Sequence, residues 1–191
     1  MNTITELHDV PCPMRDGVNL TTDILMPTDG GPFPTVLIRL PYDRGSDMSF
    51  CLGTAMHLSK RGYAVVIQDT RGRYDSEGKW YPFINEVDDG YDAVKWVANQ
   101  SWCNGNIGTS GASYFGLTQW QAAQNPHPSL KAAVPRVAYS NTYHNWVYTG
   151  GAFQLAFNLS WSLMMSDRVN QPQHLFPVSY THLTLPTILL V

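Results

Sequence analysis

Charge is scarce in this 191-residue sequence and nowhere concentrated. The 12 lysines and arginines and the 15 aspartates and glutamates, a net charge of -3 at pH 7, are spread along the chain. No basic patch is there to meet nucleic acid or an anionic membrane. Cysteine is scarce too. Cys12, Cys51 and Cys103 are odd in number and form no Cys-x-x-Cys pair, which excludes a disulfide framework and a zinc site. They read as buried or incidental thiols of a reducing compartment. No apolar run approaches the roughly 20 residues that span a bilayer. The opening Met1-Asn2-Thr3-Ile4-Thr5-Glu6 has neither the basic start nor the apolar stretch of a secretory signal. The expectation is a soluble, cytoplasmic protein with no metal and no cofactor. What the sequence does have is apolar residues, 43% of the chain, enough for a sizeable globular core.

The apolar residues come in short runs. Residues 4–10 and 18–26 read as two strands, and Arg15-Asp16-Gly17 between them is a turn signal that makes them a hairpin. Thr35–Leu40 and Tyr63–Ile67 are brief, β-branched and unbroken, as buried strands are. Helical spacing over 47–61 separates them. Residues 86–99 form the clearest helix: Asn85 can cap it, Glu86, Asp88 and Asp89 sit where the helix dipole favours anions, and Val87, Tyr91, Val94 and Ala98 make one apolar face. A strand at 107–110, a helix at 114–124 and a strand at 130–134 follow. Strands alternating with helices predict an α/β fold with a mostly parallel sheet, made mixed by the antiparallel hairpin. Segment 139–165 differs, being rich in Tyr, Trp, Phe and Met and helical after Gly150-Gly151.

One run carries chemistry. In Gly105–Gly116 a strand enters, a tight turn carries Ser113, and a helix leaves. A serine at such a turn has its hydroxyl exposed above the sheet, and glycines at 111 and 116 leave room for the close strand–helix crossing. The helix start puts the Tyr114 backbone N–H where an oxyanion would form. The spacing is Gly-x-Ser-x-x-Gly, with the second glycine one residue later than in the usual signature. Ser113 is therefore open to two readings, a nucleophile or a helix cap after a buried strand. Tyr42, in Leu40-Pro41-Tyr42-Asp43 after the first buried strand, is open to two as well: a phenol donating to an oxyanion, or an aromatic packed on the sheet edge. The glycine-rich run lacks the Gly-Lys-Ser/Thr ending of a phosphate-binding loop, which sets a nucleotide site aside.

Taken in order, Arg15-Asp16-Gly17, Pro41-Tyr42-Asp43, Asp69-Thr70-Arg71-Gly72 with Ser76-Glu77-Gly78, Trp102–Asn106 and Gly111–Gly116 leading to Thr118–Ala123 make the sequence resemble the cocaine-esterase-like (CocE/NonD) hydrolases. These are grouped with the Xaa-Pro dipeptidyl-peptidase (S15) and α-amino-acid ester hydrolase families. The resemblance runs from about Val10 to about Trp161. It implies an α/β-hydrolase fold with a helical cap beginning after residue 138. It also implies a serine hydrolase acting through an acyl-enzyme on a small-molecule ester or peptide, with Ser113 as nucleophile, Tyr42 as the oxyanion hydroxyl and Tyr114 as the oxyanion N–H. Tyr143, Trp146, Phe153 and Trp161 fall in the cap and are candidates for a substrate pocket. For Asp69 and Arg71 the reading is structural, a carboxylate and an arginine organising the loop after a strand.

The base and acid of a triad are not found. In this fold they follow the serine, acid first and histidine second, on loops after later strands. Asp167, His127, His144, His174 and His182 all lie in other settings. The expected organisation is therefore 1–138 as the N-terminal part of a hydrolase domain, 139–176 as the start of a cap, and 177–191 as a non-native tail, with the C-terminal part of the fold missing. A catalytically incomplete or non-enzymatic binding protein on the same fold is the reading from another class.

Overall fold

The structure is a computed structural model that describes residues 3–46, 51–141 and 143–166. It divides into two compact units, Met1–Ala138 and a second opening at Tyr139. The expected tail 177–191 and the candidates Asp167, His174 and His182 lie outside the described residues.

The first unit is built on a six-stranded sheet. Its strands are β1 (Ile4–Pro13), β2 (Asn19–Pro27), β3 (Phe33–Leu40), β4 (Ala64–Asp69), β5 (Cys103–Ala112) and β6 (Leu130–Arg136). Their spatial order is β1-β2-β4-β3-β5-β6. β1 and β2 form the expected antiparallel hairpin, and β2 joins β4 antiparallel. The pairs β4–β3, β3–β5 and β5–β6 are parallel. The helices are α1 (Cys51–Ser59), α2 (Glu86–Ala98) and α3 (Tyr114–Ala122). All six residues of β4 are buried, because both faces of a parallel sheet are covered.

The two faces differ in chemistry. On one, Leu25, Ile38, Leu40, Val65 and Ile67 pack with Cys51 and Ala55 of α1. On the other, Leu20, Ile24, Leu37 and Val66 pack with Ala93, Val94 and Val97 of α2. Each large aliphatic side chain buried this way contributes about 1.5–3 kcal/mol. Two residues further along β3 and β4, the second face turns polar. Arg39 Nε donates to Gln68 Oε1 at 2.8 Å, and Gln68 Nε2 donates to Thr22 Oγ1 at 3.2 Å.

That polar strip corrects the expectation for α2. The buried residues are Glu86, Asp89, Gly90, Asp92, Ala93, Val94 and Val97. Val87, Tyr91 and Ala98 are only partly buried. The cause is ionic. Arg39 lies 3.0 Å from Glu86, and Arg71 lies 2.6 Å from Asp89, so two of the three carboxylates of the first turn face inward while Asp88 stays exposed. Nor does Asn85 cap the helix with its side chain: its backbone is already helical, and no side-chain cap bond forms.

The second unit contains a π-helical turn (Tyr143–Val147), a two-residue hairpin of β7 (Tyr148–Thr149) and β8 (Ala152–Phe153), and α4 (Leu155–Ser166). On α4 only Met165 is buried. No helix among the described residues is long and apolar enough to cross a membrane.

Candidate active site

Ser113 stands between the end of β5 and the start of α3, at φ 56° and ψ −125°. It is exposed, while Gly111, Tyr114 and Gly116 around it are buried. Its N–H donates to the Arg136 carbonyl at 3.0 Å, and its own carbonyl accepts from Gly116 and Leu117 at 3.0 Å each. The serine is thus tied to the neighbouring strand β6 and to the first turn of the helix. A Cβ on Gly111 would fall 2.6 Å from the Phe115 carbonyl oxygen, and one on Gly116 would fall 2.8 Å from the Arg136 carbonyl oxygen. Both glycines are required by close approach of backbone.

Tyr114 turns its side chain inward. Its hydroxyl donates to Glu86 Oε1 at 3.0 Å and accepts from the Phe83 N–H at 3.0 Å. Its ring stacks on Phe83 with centroids 4.5 Å apart. Burial and the adjacent Glu86 push the phenol's pKa up, and burial pushes the Glu86 carboxyl up against the pull of Arg39. The half-buried Tyr42 stands edge-on to Tyr114 and to Phe115, at centroid distances of 6.4 and 6.1 Å. Of the three residues singled out in the sequence, Tyr42 thus meets Tyr114, the neighbour of Ser113 in the chain. An oxyanion formed on Ser113 would lie at the N-terminus of α3, where backbone N–H groups and the helix dipole favour negative charge.

Backbone strain concentrates here. The non-glycine residues with positive φ among those described are Asp9, Asp43, Tyr74, Phe83, Ser113 and Val137. Four of these are Ser113 or its surroundings: Asp43 follows Tyr42, Phe83 bonds the Tyr114 hydroxyl, and Val137 follows the carbonyl that holds Ser113. Such residues cost of order 1–3 kcal/mol each and persist only where the surroundings over-determine them.

The end of β4 and the loop after it carry a set of buried ion pairs and hydrogen bonds. Asp69, fully buried, accepts from the Arg44 N–H at 2.9 Å and from Arg44 Nη1 at 2.5 Å. Burial pushes its carboxyl up to about 7, with Arg44 pulling the other way. Arg44 also pairs with Asp9, Asp23 and Asp75. Arg71 bridges Asp16 and Asp89. Arg73, 1% exposed, donates from Nε to the Pro41 carbonyl at 3.0 Å and lies over the ring of Trp80, 4.6 Å from its centroid. Sequence reasoning missed Arg39, Glu86, Arg44 and Arg73. The signal for Arg39 was present: an arginine inside the apolar run Val36–Leu40 must have a buried acceptor.

The described histidines are His8, His57, His127 and His144, and His57 is exposed on α1. His127 packs against Tyr91, and its Nδ1 accepts from the Ser129 N–H. His8 lies between Glu6 and Asp23. His144 belongs to the second unit, against Tyr143. In that unit Trp146 stacks on Tyr139 and meets Trp161 edge-on, while Tyr143 and Phe153 both pack against Tyr148. The four candidate pocket aromatics thus form two clusters. Among the described residues no group of three or more His, Cys, Asp or Glu side chains is placed to hold a metal ion.

Comparison with known proteins gives a consistent set. Residues 16–182 match the X-Pro dipeptidyl-peptidase (S15) family. Cocaine esterase of Rhodococcus sp. (strain MB1 Bresler) is 41% identical over 160 residues, which are 82% of this chain and 28% of that protein. A crystal structure of a CocE/NonD family hydrolase from Staphylococcus aureus matches with a TM-score of 0.79 and 31% identity, over 89% of this chain and 34% of that one. The crystal structure of an aminopeptidase from the marine sediment archaeon Thaumarchaeota archaeon matches at 0.73 and 31%, over 86% of this chain and 30% of that one. The chain spans about a third of the length of these relatives.

Proposed function

This chain belongs to the X-Pro dipeptidyl-peptidase (S15) family, and from that premise we propose that it carries the nucleophile half of a serine hydrolase of esters or amides. The observation that carries the reading is the conformation of Ser113, exposed at a sharp strand-to-helix turn with φ 56°. Its Oγ attacks the substrate carbonyl carbon, and the Oγ proton passes to a general base. The negative charge on the carbonyl oxygen meets the Tyr114 N–H and the Tyr42 hydroxyl. Collapse expels the alcohol or amine and leaves an acyl-serine, which water then cleaves.

A serine hydroxyl is a weak nucleophile without a base. The base and its orienting acid come from the longer parent protein, since relatives are about three times this length. The same argument makes the 191-residue chain a poor catalyst by itself. Identity to a cocaine esterase favours esters as the parent's substrates, while the family match and the aminopeptidase keep peptide amides as the second reading. The test is to assay the parent on a nitrophenyl ester and on an Xaa-Pro nitroanilide, with and without Ser113→Ala. We expect ester turnover that falls by at least about 10^3-fold in the variant, and little turnover by the short chain. Ester hydrolysis unaffected by Ser113→Ala would remove the assignment.

A further inference from the structure

We propose that the segment Asp69–Arg73 positions Tyr42, with Asp69 and Arg73 as positioning residues that hold the phenol in place for the oxyanion. This rests on the reading above that the Tyr42 hydroxyl meets the developing charge. Neither residue touches a reacting atom; both act through the backbone on either side of Tyr42.

Three bonds make the argument. The Leu40 carbonyl accepts from the Thr70 N–H at 3.0 Å. The Pro41 carbonyl accepts from Arg73 Nε at 3.0 Å, and the Arg44 N–H donates to Asp69 Oδ1 at 2.9 Å. Residues 40, 41 and 44 are therefore gripped by residues 69, 70 and 73, leaving Tyr42 and Asp43 as the span between anchors. Asp69, Thr70 and Arg73 are all essentially inaccessible, so water does not compete for these bonds. Asp43, the residue after Tyr42, holds φ 74°, a strained state that needs anchors on both sides to persist. The bond from Gly45 N–H to Asp43 Oδ1 at 3.1 Å tightens the same turn.

The chemistry of Arg73 points the same way. Burial pulls its pKa down, so keeping a cation there is unfavourable in itself. An apolar side chain would fill the space at lower cost, but it could not hold the Pro41 carbonyl. The guanidinium carbon lies over the Trp80 ring, 4.6 Å from its centroid, and over the Tyr74 ring at 5.3 Å. Arginine's planar, pre-organised fork loses less freedom in making the Nε–H bond to Pro41 than a flexible ammonium would.

A double-mutant cycle on the parent enzyme tests this with a nitrophenyl ester, measuring kcat and KM separately. Tyr42→Phe, Arg73→Met, Arg73→Lys and the combinations of each with Tyr42→Phe are compared, and thermal melts show which variants fold. Arg73→Met should lower kcat about tenfold with KM within about twofold, since small misplacements of a group that stabilises the transition state cost rate. Arg73→Lys, a milder change that serves if the Met variant does not fold, should lose kcat in the same direction. In the Tyr42→Phe background either change should cost almost nothing more, because the hydroxyl they position is gone. A full, additive loss in that background would overturn the proposal while leaving the oxyanion role of Tyr42 standing. Should Tyr42→Phe alone leave kcat unchanged, the oxyanion reading fails first, and the positioning proposal with it.

Discussion

Ser113 accepts a backbone conformation that most side chains avoid, and the residues around it explain how. Strand β6 receives its N–H, the first turn of α3 bonds its carbonyl, and Gly111 lets the helix come within contact of the strand. Gly111→Ala should therefore destabilise the protein by about 1–3 kcal/mol through overpacking and should also displace the serine. Chemical denaturation checks the first effect and ester turnover of the parent the second. The thiols offer a separate check at this scale. All three are buried, and burial pushes Cys12 up to about 12. A neutral, buried thiol is unreactive, so Ellman's reagent should find no fast thiol in the native protein and three after unfolding.

At this scale the sequence was legible where a residue's job depends on its neighbours in the chain. Ser113, Gly111 and Gly116 announce a strand–turn–helix on their own. Tyr42 and Tyr114 could be named, but their contact with each other spans 72 positions and comes from the sheet order. The inward turn of the Tyr114 hydroxyl onto Glu86 was not readable, because nothing local distinguishes a helix-start carboxylate that faces the dipole from one that faces a buried phenol.

At the level of elements, strands were easier than helices. Buried parallel strands are continuous apolar runs, and β3 and β4 lie within a residue or two of the expected limits. For α2 the existence was clear and the orientation was not. Apolar periodicity pointed to Val87, Tyr91, Val94 and Ala98, but arginines from two distant segments draw Glu86 and Asp89 of the first turn into the interior. Arg71 is the sharper test of this. Its guanidinium makes two bonds to Asp89, at 2.9 and 2.6 Å, and Asp89 is 2% exposed. Arg71→Met leaves that carboxylate buried and unpaired, which should cost about 3–5 kcal/mol. Urea denaturation would show it, and Asp89→Asn in the same chain should recover part of the loss.

Seen whole, the molecule has the α/β-hydrolase architecture of its CocE/NonD relatives, with a mostly parallel sheet, an antiparallel hairpin at one edge and helices on both faces. Ser113, Tyr42, Tyr114 and the residues argued to position them all lie in the first unit, at the ends of β3, β4 and β5 and the starts of α2 and α3. That is where a parallel sheet gathers its loops, and it is why residues far apart in sequence could converge on one serine. On the reading proposed above, these residues supply a nucleophile and its charge-stabilising surroundings, and proton transfer is left to the longer parent. Labelling that parent with a fluorophosphonate, followed by mass spectrometry of its peptides, tests the central claim most directly. The account predicts a single phosphonylated residue, Ser113, and no label after Ser113→Ala. A label on any other serine, or one that survives the substitution, would contradict it.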